Sequence, residues 1–177
     1  MKKIITLFAI VGLVAFSSCE GPEGPPGPPG YDGYDGLVGI VYENPSNKPY
    51  DFTLQNNFQV RFIFPKSIVE SDVVLVYRLG GVDPNRGKAI WEFLPQTFYK
   101  DNDSRDFSFN FNFTYDYVNI FLSGTDLGTV SPAYRLGQTF RIVVVPADFA
   151  ASVNKSSYSD VVSKLNIKES QIQEISF

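Results

Sequence analysis

The chain has 177 residues, of which 44% are apolar and 19% are charged, a composition typical of a globular protein rather than a disordered one. It contains no histidine and only one cysteine, Cys19. Intramolecular disulfides, zinc sites built from histidine and cysteine, cysteine–histidine nucleophiles and Ser–His–Asp triads are therefore excluded. With 15 basic and 19 acidic residues and no basic run, the sequence predicts no binding to nucleic acid, and no motif predicts a metal or a cofactor.

Residues 1–18 have the pattern of a secretory signal peptide. Two lysines follow the initiator methionine, and the apolar stretch of residues 4–16 is too short to span a bilayer as a stable helix. Ser17 and Ser18 then place small residues directly before Cys19. This arrangement resembles the lipobox of bacterial lipoproteins, which implies that Cys19 becomes the acylated first residue and that the lipid bilayer is a partner. The alternative is an ordinary cleaved signal followed by an incidental cysteine.

A collagen-like segment follows, within the predicted connector of residues 19–41. It consists of seven consecutive G-X-Y triplets, and its first three, GPEGPPGPP, contain five of the chain's twelve prolines. Collagen requires this period because only glycine fits at the axis of three polyproline-II strands. The glycines in register are Gly21, Gly24, Gly27, Gly30, Gly33, Gly36 and Gly39.

The repeat allows two interpretations. Three chains could wind together, which would make the protein a homotrimer, with Tyr31 and Tyr34 available to stack between chains. Alternatively, one chain could act as a semi-rigid spacer of about 65 Å, since polyproline II rises about 3.1 Å per residue. Seven triplets are few for a triple helix, and the later ones lack proline.

From Tyr42 onward the hydrophobic period becomes two, which predicts β-strands over most of residues 42–177. Alternation of apolar and polar residues is clearest where five aromatic residues alternate with serine, asparagine and threonine. A continuous apolar run predicts a central strand, and turn signals separate the segments. The predicted strands cover residues 58–64, 73–77, 89–93, 107–115, 117–122 and 140–145.

One short C-terminal helix is predicted. Tyr158, Val161, Val162 and Leu165 lie on one helical face, and Ser157 is placed to cap the helix. We expect this apolar stripe to pack against a sheet edge or the end of the domain, whereas the pattern of residues 172–177 does not decide whether they form a last strand. The predicted fold class is all-β and mainly antiparallel, a β-sandwich with one short helix.

Nearly the whole mature chain resembles the collagen-like lipoproteins of Bacteroidota. The resemblance is carried by the lipobox cysteine, the segment GPEGPPGPPG and a β-rich domain that contains IWEFLPQTFY, FRIVVVPADF and YSDVVSKLNI. It implies a lipid-anchored location in the cell envelope, at the outer membrane of a Gram-negative bacterium. That family has no established activity, so the resemblance implies no functional residues in the domain.

Two polar motifs suggest sites but fit them poorly. The segment from Gly81 to Lys88 has five residues between its glycines where a phosphate-binding loop needs four, and it lies between two predicted strands, so we interpret it as a hairpin loop. Asp101, Asp103 and Asp106 could offer oxygen ligands to calcium, but they lack the EF-hand glycine and glutamate. We interpret them as a solvated turn.

Aromatic residues make up 15% of the chain, which raises the possibility of sugar binding, because aromatic rings stack on pyranose faces. Core packing explains most of them. General acid–base chemistry would need paired carboxylates, and Glu92 stands out because it lies within an apolar strand, although an outward-facing side chain is the default expectation. The aromatic residues whose exposure the pattern leaves open are Tyr50, Trp91, Phe98, Tyr99, Tyr117, Phe121 and Tyr134.

The sequence therefore predicts a non-enzymatic, membrane-anchored envelope lipoprotein that presents a β-sandwich on a collagen-like tether, in a structural or interaction role. A carbohydrate-binding surface lipoprotein is the alternative, and an exposed strip of tyrosine or tryptophan would favour it. An enzyme would require a cleft with two converging carboxylates. The pattern identifies no particular glycan or protein ligand.

Overall fold

The computed structural model describes residues 39–102 and 104–175. The predicted signal peptide, Cys19 and the repeat glycines from Gly21 to Gly36 lie outside these residues, as does Asp103. Residues 39–175 belong to one compact unit.

The described part of the chain is mostly β-structure, arranged in two sheets. The five-stranded sheet has the order β4-β3-β8-β1-β9 and the four-stranded sheet has the order β2-β7-β6-β5. All neighbours pair antiparallel except β1 and β9. The expectation of a mainly antiparallel β fold is confirmed. The strands are Ile40–Glu43 (β1), Gln59–Ile63 (β2), Asp72–Val82 (β3), Ala89–Phe93 (β4), Gln96–Tyr99 (β5), Arg105–Phe113 (β6), Tyr117–Gly124 (β7), Phe140–Pro146 (β8) and Gln173–Glu174 (β9).

Three short α-helices occur in this region, where the sequence predicts one. They are Pro132–Arg135 (α1), Ala147–Ser152 (α2) and Tyr158–Lys164 (α3). The first two were missed because four to six residues are too few to show a helical hydrophobic period. Helix α3 is the predicted one, and the Ser157 hydroxyl accepts the Asp160 backbone N–H at 3.2 Å, as the capping prediction requires.

The largest buried cluster contains side chains from both sheets. Along β3, Val74 and Val76 point into it, and along β8, Phe140, Ile142 and Val144 do the same. The four-stranded sheet contributes Phe62, Phe107 and Phe109, among others. This alternation is the period-two pattern predicted from the sequence, because successive side chains of a strand point to opposite faces.

The other face of the five-stranded sheet is buried as well. Leu75, Tyr77 and Val143 form a second cluster there with Tyr158 and Val161 of α3. The helix therefore packs on a face of this sheet, next to its edge strand β4, where Tyr158 contacts Trp91. Burial on both faces explains why the β3 sequence is continuously apolar and why β3 lies in the interior of the sheet order.

The chain enters the domain slightly earlier than the predicted boundary at Tyr42. Strand β1 already includes Ile40 and Val41, which the G-X-Y register assigns to the last triplet. Gly39 is buried, and a Cβ at this position would lie 2.5 Å from Cδ1 of Leu165. Gly39 is therefore needed for close packing within the domain, independently of the collagen period.

Strand β1 also fixes which end of the sheet the N-terminal segment joins. Ile40 pairs with Val144 of β8, whereas β8 begins at Phe140, which pairs with Arg78 of β3. Val144 and Phe140 are four residues apart along β8, which corresponds to about 13 Å along the sheet. The chain thus enters at one end of the central strands, and the Arg78 side chain lies toward the other end.

Candidate functional site

A cleft of about 470 Å³ opens at the Arg78 end of the sheets. Its walls come from the end of β3, from β4 and β5, and from α1 with the segment that connects it to β8. This volume lies within the range of small-molecule sites. The residues lining it are Arg78, Leu79, Gly80, Gly81, Glu92, Phe98, Ala133, Tyr134, Leu136, Gly137, Gln138 and Thr139.

Arg78 forms the charged base of the cleft, and its side chain is only 7% exposed. Its Nη2 donates to Oε2 of Glu92, its Nε donates to Oε1 of Gln96 at 3.0 Å, and its Nη1 donates to Oε1 of Gln138 at 3.3 Å. Burial lowers the pKa of the guanidinium, while the charge of Glu92 and the hydrogen bond to it act in the opposite direction. A buried cation needs such partners to be tolerated.

Glu92 pairs with Arg78 across strands β3 and β4, and its side chain is 34% exposed. The outward orientation expected by default is therefore wrong, because the carboxylate lies on the same face as Arg78. A bulge in β3 makes room for it: Gly80 is the extra residue between Leu79 and Gly81. A Cβ on Gly80 would lie 2.4 Å from the carboxylate carbon of Glu92, so the carboxylate rests against bare backbone.

The opposite wall is held by Gln138. Its Nε2 donates to the carbonyl oxygens of Ala133 and Leu136 at 2.9 and 2.8 Å, and its backbone pairs with Tyr50. Gly137, at φ +69°, turns the chain, and its N–H donates to Oδ1 of Asp51 at 2.8 Å. These contacts fix the wall in place.

Aromatic side chains form the apolar side of the cleft. Phe98 stacks on Phe107 with 4.7 Å between ring centroids, and Tyr134 lies against Phe98 at the same separation. The Arg78 guanidinium carbon lies 5.7 Å from the Phe98 ring centroid and 5.9 Å from that of Tyr134. Leu136, 43% exposed, stands at the rim. The site therefore combines a charged pair, amide groups and an apolar wall.

A second buried arginine lies on the far face of the five-stranded sheet. Arg141 donates through Nε to Glu43 and through Nη1 and Nη2 to Glu169 at 3.0 and 2.7 Å, and its guanidinium lies 4.3 Å from the Trp91 ring centroid. Burial alone would lower its pKa, but the hydrogen bonds to Glu169 and Glu43 outweigh burial and raise it. Tyr158 also accepts from Nη1 at 2.6 Å. Glu169 belongs to the C-terminal segment. We therefore interpret this cluster as a structural contact that holds the C-terminal segment against the sheet.

The outer face of the four-stranded sheet carries polar side chains around two aromatic rings, those of Tyr117 and Phe121. Phe121 lies opposite Asn110 on one neighbouring strand and Gln59 on the other. Tyr117 is covered by Arg61, whose guanidinium carbon is 4.2 Å from the ring centroid. The amides largely satisfy one another, for example Asn119 with Gln59 at 3.1 Å. The face is therefore well suited to solvent.

The aromatic residues whose exposure could not be predicted from the sequence are scattered over the domain. Tyr50 is buried, Trp91 packs near Arg141, and Tyr99 is exposed. Phe98 and Tyr134 come together in the cleft beside Arg78, where Glu92 also lies. The predicted candidates therefore form one group of three and not a continuous strip.

The first polar motif forms a loop, whereas in the second Asp101 lies in a turn and Asp106 lies within β6. The segment from Gly81 to Lys88 connects β3 to β4 as a hairpin, and Oδ1 of Asp83 accepts the backbone N–H of Asn85 at 2.8 Å. Asp106 pairs with Lys100 at 3.6 Å. Within residues 39–102 and 104–175, no three His, Cys, Asp or Glu side chains form a group that could hold a metal ion.

Sequence reasoning missed both buried arginines. A signal was present, because Arg78 directly follows VVLVY and Arg141 lies within FRIVVV. A charged residue inside an apolar strand is seldom buried without a partner, so such positions deserve the same scrutiny as Glu92. The partners themselves, such as Gln96 and Gln138, can be identified only from strand pairing.

Comparisons with models of protein families, with curated proteins and with solved structures found no match to this chain. Within the described residues, no helix has the length and apolar character to cross a membrane. Function must therefore be inferred from the residues of the chain itself.

Proposed function

We propose that this protein is a lipid-anchored, non-enzymatic component of the cell envelope that presents a β-sandwich binding module on a collagen-like tether. The observation that carries the proposal is the position of the cleft. The segment that would lead to Cys19 joins β1 beside Val144, and the cleft opens near Phe140 at the other end of β8. A domain attached in this way holds the cleft away from its point of attachment.

The composition of the cleft favours binding over catalysis. Glu92 is the only carboxylate among the residues that line it, and its oxygen Oε2 is engaged by Arg78 and Gln96. Glycoside hydrolysis ordinarily uses two carboxylates on opposite sides of the bond that breaks. A guanidinium, a carboxylate and amides beside an apolar wall are instead suited to holding a ligand.

The anchoring part of the proposal is tested by the mature N-terminus. We expect protein extracted from membranes to begin at an acylated Cys19, as measured by mass spectrometry of the N-terminal peptide. Cys19→Ser should leave the protein unacylated, whereas Ser18→Ala keeps a small residue before the cysteine and should be acylated normally. Acylation of the Cys19→Ser protein, or a mature chain that starts elsewhere, would refute the anchor.

The tether can be tested for trimer formation by light scattering. Two soluble chains are compared, one beginning at Glu20 and one at Gly39, which retains all of β1. If only the longer chain is trimeric and its trimer is lost on mild heating, the triplets form a triple helix. If both are monomeric, the repeat is a single-chain spacer.

A further inference from the structure

We propose that the cleft beside Arg78 binds a neutral saccharide, with adjacent hydroxyl groups held between Arg78 and Glu92. This inference rests on the proposed function, because it names the ligand class of the module that the anchor presents. It is carried by the charge balance of the cleft, by its unused hydrogen-bonding atoms and by its fixed walls.

The charge balance selects a neutral ligand. Arg78 and Glu92 are the only charged residues that line the cleft, and they neutralise each other through a direct hydrogen bond. An anionic ligand attracted to Arg78 would meet the carboxylate of Glu92, and a cationic ligand attracted to Glu92 would meet the guanidinium. Either ion would therefore lie close to the like-charged member of the pair, which opposes its binding.

The hydrogen-bonding atoms of Arg78 and Glu92 that have no partner among the described residues favour a ligand that can both donate and accept hydrogen bonds. A guanidinium has five N–H donors, and one on Nη2 of Arg78 is left over after the contacts to Gln96, Gln138, Leu79 and Glu92. Oε1 of Glu92 accepts no hydrogen bond from the described part of the chain. A hydroxyl group can donate to this oxygen while its neighbour accepts from Arg78. Adjacent hydroxyls of this kind are the common feature of sugars.

The apolar side of the cleft matches the remaining surface of a sugar ring. Tyr134 and Phe98 form a wall next to the charged pair, and exposed Leu136 extends it at the rim. Sugar rings present C–H groups on their faces, which pack against such side chains while their hydroxyls reach polar groups. An ordinary hydrophobic ligand would instead leave Oε1 of Glu92 buried without a partner.

The walls are fixed before any ligand arrives. Glu92 is seated by the bulge at Gly80, and Gln138 is held by two backbone carbonyls. A pre-organised site loses less conformational entropy on binding, which matters for a weak ligand such as a sugar.

The test is a titration of the full mature chain carrying Cys19→Ser, followed by backbone amide chemical shifts. The probes are glucose, galactose, mannose, N-acetylglucosamine, maltose and cellobiose, with glucuronate and inorganic phosphate as anionic comparisons. We expect at least one neutral sugar to shift the amides of Gly80, Gly137 and Thr139 saturably. Glu92→Gln should weaken that binding about tenfold, the loss expected for one hydrogen bond to a charged group.

Two further variants separate loss of binding from loss of fold. Glu174→Gln makes the same chemical change at an exposed position on β9 and should bind like the parent protein. Leu136→Ala shortens the rim without touching the charged pair and should weaken binding while the unfolding midpoint stays unchanged.

The inference is overturned if none of the neutral sugars shifts the cleft amides, if glucuronate or phosphate binds there instead, or if the shifts lie around Tyr117 and Phe121. Because the titration uses unacylated protein, it does not depend on the anchor. Absence of sugar binding together with an acylated Cys19 would remove this inference and leave the proposed function standing.

Discussion

Gly80→Ala should destabilise the domain through Glu92. The added methyl would lie 2.4 Å from the carboxylate carbon of Glu92 and 2.6 Å from Oε2, so the carboxylate must shift, and we expect this shift to weaken its pairing with Arg78. Gly80 does not have a positive φ, so the backbone itself accepts alanine. The cost is therefore electrostatic rather than a backbone strain.

The size of the destabilisation caused by Gly80→Ala follows from the burial of Arg78 and Glu92. Removing one member of a fully buried pair costs about 3–5 kcal/mol. The Glu92 side chain is 34% exposed, and Arg78 keeps its bonds to Gln96 and Gln138, so screening reduces the expected loss to about 1–3 kcal/mol. For a domain of this size, each kcal/mol lowers Tm by about 3–5 °C.

Urea denaturation of a double-mutant cycle isolates this effect. In the Glu92→Ala background the carboxylate is already absent, so Gly80→Ala should be neutral or stabilising by up to about 1 kcal/mol through the unfolded chain. Gly128→Ala serves as a control, because the nearest atom to its Cβ would be Oδ1 of Asp126 at an ordinary 3.5 Å. An equal destabilisation by Gly80→Ala with and without the Glu92 side chain would refute the reasoning.

Three further predictions test the rest of the domain by the same denaturation assay. Arg141→Met should cost about 2–4 kcal/mol, because Glu43 loses its buried partner, whereas Lys164→Met breaks an exposed pair and should cost less than about 1 kcal/mol. Phe109→Ala should cost about 3–5 kcal/mol, since this ring is fully buried between the sheets. Burial raises the pKa of Tyr158 from 10 to about 12, so this residue's contribution to stability is complete below pH 10 and is lost as pH rises from 10 through 12. Tyr158→Phe should flatten that alkaline decline; an unchanged slope would contradict the assignment.

Local patterns predicted the elements of the fold more reliably than its pairings. The alternating aromatic run predicted β6, and the apolar run that became β3 was correctly placed inside a sheet, because each pattern reports which faces of a strand are buried. The Ser157 cap was found because capping depends on residues close in sequence. Strand β5 was missed, since four residues following Pro95 are too few to establish a period.

The candidate site was only partly predictable, because its parts come from distant stretches of sequence. Glu92 was singled out by its apolar surroundings, but its orientation depends on pairing with Arg78 and on the bulge at Gly80, neither of which a local pattern reveals. Phe98 and Tyr134 could be named as candidates, and only the fold brings them to the same cleft. Tertiary contacts of this kind lie beyond propensity and periodicity.

The most direct test of the central claim, that Arg78 and Glu92 form a ligand-binding pair, is the side-chain Nε–Hε resonance of Arg78. This nitrogen donates to Oε1 of Gln96, and its resonance reports changes at the guanidinium. We expect a neutral sugar to shift the resonance saturably and inorganic phosphate to leave it in place. A resonance that no neutral sugar shifts, or that shifts only with phosphate, would contradict the claim that Arg78 and Glu92 bind a sugar.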